Sequence, residues 1–387
     1  MQKLTKEERL LRTLKREEVD YLPSQIVFAD RSRYKPISQA LGLESEDDLD
    51  NYLENHIFFT FTLQDKPMLF RDVKDVIEDL HEKGYASPDW ENDVVYDTWG
   101  AGISVGIGCF FIKFHPLQGK ADQRIADLMP PNVQREALLA KDIETRVKLF
   151  EAPDPFMKDN FIDWEHDKDA FSGEFLVVPS GYGGIYERSY HVMGWEEFMT
   201  YVALKPKVVE EIMDKITDYK VEIAKQMVKM GFKMAHTGDD FGTQNKGFFS
   251  ESSFRKLILP RLKKQWQIFN DAGIPVMHHS CGDVEQYIPD FIDAGLNVLE
   301  PCQPCMDLKK LKREYGKDLI FYGGINTQVL PHLNEQQTRD MVRETIRILG
   351  KGGGHIIAPA QEIMNDVPIA NVKAMLETIK EERERAI

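Results

Sequence analysis

Residues 274–305 read IPVMHHSCGDVEQYIPDFIDAGLNVLEPCQPC, and the rest of the chain is arranged around them. Ile274–Met277 is a short apolar run with the look of a buried strand, and it empties into His278-His279-Ser280-Cys281-Gly282. Asp283 is placed to cap a helix over Val284–Ala294, which Gly295 stops. A second apolar run, Asn297–Leu299, ends in Glu300-Pro301. Residues i and i+2 of an extended segment face the same side, so His279 and Cys281 converge while Ser280 turns away. With Glu300 one strand later they offer nitrogen, sulfur and oxygen donors, a set suited to Zn²⁺ with an open position. The plain alternative is a core cysteine beside a hydrogen-bonded histidine.

Working outward, the same rhythm recurs. Strand patterns fall at 22–30, 94–102, 175–181, 232–240, 319–325 and 354–360, making eight with the two above. Helical patterns lie between most of them: 206–231 with a stripe from Val209 to Met227, Ser250–Phe269 kinked by Pro260, a helix to Leu349 opened by an Asn334/Gln337 capping box, and 369–383. Residues 1–20 read as an N-terminal helix, 36–92 as short helical and irregular pieces, and 103–172 as an irregular insertion. Eight strands alternating with helices predict one α/β domain over 1–387, a closed (β/α)₈ barrel with an N-terminal helical extension. No Gly-x-Gly-x-x-Gly or phosphate loop argues for an open doubly wound sheet.

A barrel opens its strand C-termini onto one face, where active sites sit. The polar residues at those ends are Asp30, Arg31, Asp97, Tyr182, His236, Asp239, Asp240, His279, Cys281, Glu300, Asn326, Gln361 and Glu362. Asp239 and Asp240 are the expected catalytic pair, to position substrate or donate a proton, with an N-cap for the following segment as the structural alternative. Arg31, Tyr182, His236 and Asn326 are expected to contact substrate. Cys302 and Cys305 form a lone Cys-x-x-Cys, either incidental thiols or, with Cys281, another metal set.

Composition narrows the class. The chain has 49 Lys and Arg against 64 Asp and Glu, a net charge of −15, which argues against nucleic acid or an anionic membrane as partner. Four cysteines are too few for a disulfide scaffold, and the charged N-terminus lacks the apolar core of a signal peptide. The expectation is a cytoplasmic protein without a membrane span.

KEERLLRTLKREEVDYLP, GDDFGTQ, ILPRLKK, HHSCGDV, FYGGINTQ and GGGHIIAPAQEIMNDVPIANVKAM together resemble the uroporphyrinogen decarboxylase superfamily, in its branch of corrinoid-dependent methyltransferases and O-demethylases. The likeness covers the first forty residues and nearly everything from 173 onward. It implies a barrel enzyme, a zinc ion, and cobalamin carried by a separate corrinoid protein. It implies a small methylated substrate such as a methoxylated aromatic, and homodimers occur in the family. In these methyltransferases a His-x-Cys pair and a distant Cys bind zinc. His279 and Cys281 match the pair, but Ala360 and Gln361 stand where the distant Cys belongs. Cobalamin-independent methionine synthase, a remoter relative, is similar in carrying a Glu where Glu300 stands. The expected metal set is therefore His279, Cys281 and Glu300, with Gln361 or Glu362 as a further candidate. A metal-free decarboxylase and a non-catalytic partner protein are the competing readings.

Overall fold

A computed structural model describes residues 3–106, 111–181 and 183–385. Cys109 and Tyr182, the latter expected to contact substrate, lie outside the described residues.

The fold is a (β/α)₈ barrel. Five parallel strands run in chain order: β7 (Ala235–Gly238), β8 (Val276–His279), β9 (Leu296–Cys302), β10 (Ile320–Ile325) and β11 (His355–Pro359). Two more, β1 (Ile57–Thr60) and β6 (Leu176–Pro179), pair in parallel. The eighth stave is the segment around Ser24–Phe28. Ser24 bridges Asn55 on one side and Ile357 on the other, and Phe28 bridges Ile363. Between β6 and β7 no ladder forms among the described residues.

Alternate residues fill the barrel. Ile57, Leu176, Val178, Met277, Val298, Ile320, Tyr322, Ile356 and Ala358 form one buried cluster with Leu10. Leu10 belongs to the N-terminal helix Lys6–Leu14, capped by a Thr5/Glu8 box, which brings an apolar side chain to the barrel interior. The opposite strand faces, among them Val177, Leu299 and Phe321, pack in a second cluster with Ile212, Ile216, Trp266 and Phe269 of the outer helices. The helix Pro206–Lys229 buries Val209, Ile212, Ile216, Ile223 and Met227, the predicted stripe. Before Pro260 the chain makes a π-helical turn, Phe254–Ile258, and a separate helix, Leu259–Asp271, continues. A residue without an N–H is accommodated where the regular ladder is already interrupted.

Two expectations are corrected. Residues 94–102 are not a barrel strand. β3 (Val94–Asp97) and β4 (Gly102–Ser104) join β2 (Ala86–Asp89) and β5 (Ile112–Phe114) in a four-stranded antiparallel sheet, paired locally through short turns. The second stave is β1, inside the stretch expected to be short helices and loops. Nor is 103–172 irregular: it holds β4 and β5 and helices at Gln123–Leu128, Arg135–Leu139, Ile143–Leu149 and Ile162–Phe171, each short enough to leave little periodic signal.

Candidate functional site

The ladder register brings two donors level. Gly238 pairs with His279 and His279 with Glu300, so His279 and Glu300 stand level at the ends of β8 and β9, while His236 lies two residues back on β7 opposite Met277. Pleat alternation separates the two histidines. His278 faces the helices, where its Nδ1 lies 2.9 Å from Thr237 Oγ1 and its ring stacks on Phe241; burial lowers its pKa to about 3, so it is neutral. His279 faces the bowl. Beyond it the chain turns at Gly282 (φ +85°), whose Cα lies against the backbone of Gly242, a fit that a Cβ would block.

A continuous line of polar contacts crosses the row. Ser180 Oγ lies 2.7 Å from His236 Nδ1, and His236 Nε2 is 3.1 Å from Glu300 Oε2. The same Glu300 oxygen is 3.0 Å from His279 Nδ1. On the other ring edge, His279 Nε2 is 3.4 Å from Cys281 Sγ and 3.5 Å from Asp240 Oδ1. Asp240 Oδ1 also accepts from the Cys281 backbone N–H at 2.7 Å, and the Gln361 amide nitrogen is 2.7 Å from the thiol. Two compact donor groups share His279: one with His236 and Glu300, the other with Asp240 and Cys281.

The charges follow from this arrangement. Burial works against charge on His279, but Glu300 and the Cys281 sulfur outweigh it and hold the imidazole protonated well above its ordinary range. Burial likewise opposes charge on Glu300, and His279 and His236 overcome it, drawing the carboxyl far below the usual range. Burial raises the Cys281 thiol, which His279 only partly offsets. Without a metal the cluster is thus an imidazolium–carboxylate pair beside a protonated thiol.

Two lobes meet at this cluster. The larger, about 550 Å³, is walled by Val27, Phe59, Phe61, Leu69 and Tyr322, with Cys281, Glu300, Gln361 and Glu362 around its polar part. The smaller, about 350 Å³, is lined by Glu187, Tyr190 and His191. Both touch Ser180, His236, Asp240 and His279. Among the described residues no Lys or Arg lines either lobe.

Other expected site residues lie elsewhere. Arg31 is on the surface, 3.4 Å from Asp50, because a short 3-10 turn follows the first stave and carries it outward. Asn326 turns back to accept the Gln328 N–H at 3.1 Å and lines a separate hollow with Cys305 and Gln303. Asp239 is buried, and its two oxygens accept the backbone N–H of Tyr186 (2.9 Å) and Glu187 (2.7 Å), anchoring the helix Ile185–Met193. The foreseen alternative is an N-cap for the segment that follows the pair; Asp239 instead anchors a helix that precedes it, and Asp240 is left facing the bowl. Asp97 is wholly buried in the antiparallel sheet, 2.6 Å from Arg188. Cys302 is buried in β9 and contacts the Leu299 carbonyl at 3.8 Å, so it does not join Cys281. The metal trio expected from the sequence is drawn together but not around one point: Glu300 is on the Nδ1 edge of His279 and Cys281 on the Nε2 edge. Phe59, Tyr322 and Glu187 escaped the sequence reading; Phe59 belongs to the stave that was missed, and Glu187 sits in the first turn of a helix rather than at a strand end.

The model of the uroporphyrinogen decarboxylase (URO-D) family matches residues 180–382, just over half of the chain and all of β7–β11. The chain belongs to the uroporphyrinogen decarboxylase family. Relatives of this family member carry two activities in their names. It is 23% identical over 181 residues to the methylcobamide:CoM methyltransferase MtaA of Methanosarcina barkeri, covering 47% of this chain and 51% of that protein. It is 23% identical over 177 residues to the uroporphyrinogen decarboxylase of Syntrophotalea carbinolica, covering 45% and 49%. The chain thus spans about half the length of the curated relatives it matches. The solved structure of a methyltransferase from Methanosarcina mazei shares the fold over 98% of this URO-D chain and 99% of its own, with a TM-score of 0.58 and 19% identity. Among the described residues, no helix is long and apolar enough to cross a membrane.

Proposed function

We propose that this protein is a zinc-dependent methyltransferase that moves a methyl group from a small methylated substrate, a methoxylated aromatic, to the cobalt of a separate corrinoid protein. The observation that carries the reading is the convergence of His279 Nε2, Cys281 Sγ and Asp240 on a bowl walled by aromatic and aliphatic side chains. Imidazole, thiolate and carboxylate fit zinc in a catalytic, open site, and His279, Cys281 and Asp240 would hold it, with Gln361 beside the thiol. The ion supplies Lewis acidity toward a poor leaving group, and the corrinoid supplies the nucleophile that accepts the methyl.

The protein's own residues do the rest. Glu300 accepts from His279 Nδ1 and so fixes the tautomer that leaves Nε2 for a metal, the usual carboxylate–histidine arrangement behind a ligand. His236, tied to Ser180, braces Glu300 in turn. Phe59, Phe61, Leu69 and Tyr322 give an aryl group an apolar seat and exclude water from the polar row. This wall also weighs against a decarboxylase. A polycarboxylate substrate needs cationic partners, whereas the bowl presents Asp240, Glu300 and Glu362 and no Lys or Arg among its described residues.

The test is to incubate zinc-loaded protein with a reduced corrinoid protein and a panel of methyl ethers, amines and thiols, following the methyl–cobalt absorbance. Formation with methoxyarenes supports the proposal. No methyl–cobalt signal with any donor, or decarboxylation by metal-free protein, refutes it.

A further inference from the structure

The smaller lobe has its own chemistry. Glu187 lies at the third position of the helix Ile185–Met193, whose N-terminus is pinned against the loop after β7 by Asp239. Gly184 permits that approach: a Cβ there would collide with the Gly238 carbonyl and the Asp239 carboxylate. The Glu187 side chain lines the lobe within the same 350 Å³ space as His236, Asp240 and His279. Among the described residues its side chain meets the Tyr190 hydroxyl, 3.5 Å from Oε1, and the Gly184 N–H.

Resting on the methyl-transfer reading above, we propose that Glu187 is the acid that, from the smaller lobe, returns a proton to the substrate's departing oxygen where the two lobes meet. The balance is simple. The methyl carbon bonds to the acceptor nucleophile, the C–O bond breaks with its electron pair on oxygen, and that oxygen takes the Glu187 proton to become a hydroxyl. Glu187 is left as a carboxylate and regains its proton from solvent.

The surroundings suit the task. Burial, then the Asp240 charge, raises the Glu187 carboxyl, while His279, the Gly184 N–H and Arg188 pull the other way; burial and the Glu187 charge raise the Asp239 carboxyl as well, so the two titrate together. Asp239 faces it from the loop after β7 and Lys220 from the helix Pro206–Lys229. Tyr190 and His191 complete its own helix's side of the lobe; burial holds His191 neutral and the Tyr190 hydroxyl protonated. A carboxyl that holds its proton near neutrality is matched to general-acid work.

Glu187→Gln separates this role from helix capping, because Gln serves equally at the third position. Zinc-loaded wild type, Glu187→Gln and Glu187→Asp are compared for methyl transfer across pH, with zinc content measured on each. The acid must be protonated, so wild-type kcat falls on the alkaline side as Glu187 gives up its proton. In Glu187→Gln, kcat drops by about 100-fold or more, the alkaline limb disappears, and donor KM and zinc content stay unchanged; Glu187→Asp recovers part of the rate and the limb. An infrared titration of the metal-free protein without substrate gives a second readout: a protonated-carboxyl band in wild type that Glu187→Gln weakens, the remainder belonging to Asp239, whose carboxyl is raised as well. A Glu187→Gln enzyme with wild-type rate and the limb intact, or no such band, overturns the assignment while leaving methyl transfer standing. A wild-type enzyme inert to every donor removes the reading beneath it and this inference with it.

Discussion

Replacing Glu300 by Gln tests how the donor row divides into ligands and supports. One Glu300 oxygen accepts from His236 Nε2 at 3.1 Å and from His279 Nδ1 at 3.0 Å, and the side chain is buried. Gln keeps the shape and one acceptor oxygen but removes the charge. If Glu300 only orients His279, zinc affinity falls by about 10–100-fold, the cost of losing a carboxylate behind a ligating histidine. That is about 1.4–2.7 kcal/mol. The loss belongs near the lower end, because the amide oxygen can still accept from Nδ1. Cys281→Ala and Asp240→Asn, which remove donors from the Nε2 side, should cost more. A second signature comes from protons. The metal-free wild type carries an imidazolium at His279 and a thiol at Cys281, so binding one zinc releases about two protons. Without the Glu300 charge, His279 loses the main reason for its protonation, and release falls toward about one. The assay is competition with a chromophoric chelator in weakly and strongly buffered solution. Zinc affinity in Glu300→Gln as low as in Cys281→Ala, with proton release unchanged, would refute the division and make Glu300 a ligand, as the sequence alone suggested.

Three further outcomes are expected. Asp97→Ala removes the carboxylate from a buried contact with Arg188 and should destabilise the fold by about 3–5 kcal/mol, read as a shift in denaturation midpoint; a shift indistinguishable from wild type contradicts it. In metal-free protein the His279–Glu300 pair sets a pH window. The lowered Glu300 carboxyl contributes stability above its unfolded value, about 4.3, and loses it as pH falls; the raised His279 contributes fully below about 6.5 and loses it as pH rises. Wild type should therefore gain most over Glu300→Gln between those values, and a difference that is flat with pH denies the pair. Phe59→Ala opens the apolar wall beside His236, at 5.3 Å between rings, and should raise the donor KM several-fold, about 1–2 kcal/mol of lost burial, with zinc content unchanged; an equal loss of zinc would place Phe59 in support of the metal instead.

Much of this was legible because strand ends advertise themselves. The run from Ile274 to Glu300 declared a strand, a helix and a strand, and the i, i+2 rule placed His279 and Cys281 on one side. The Asn334/Gln337 box is present as read, since a capping box is a local bargain between four consecutive residues. What the sequence hid depends on partners far along the chain. β1 is only four residues long, and its flank carries two polar residues, Asn55, which bonds the Ile26 backbone, and His56, which lies 3.1 Å from Arg9. Residues 94–97 have an equally good strand pattern but pair with β2 and β4, and nothing local distinguishes an antiparallel hairpin strand from a stave. Asp239 and Asp240 are adjacent and alike; the helix Ile185–Met193, fifty residues earlier, captures the first and leaves the second in the bowl. Which edge of the His279 ring meets Glu300 is likewise set by the β8–β9 register.

The central claim is one zinc ion gripped on the Nε2 side of His279. X-ray absorption at the zinc edge, on protein reconstituted with the metal, reads it most directly. The account predicts about one zinc per chain with a single sulfur neighbour at about 2.3 Å and nitrogen or oxygen neighbours at about 2.0–2.2 Å, the sulfur vanishing in Cys281→Ala. No bound zinc, or a shell without sulfur in the wild type, contradicts it.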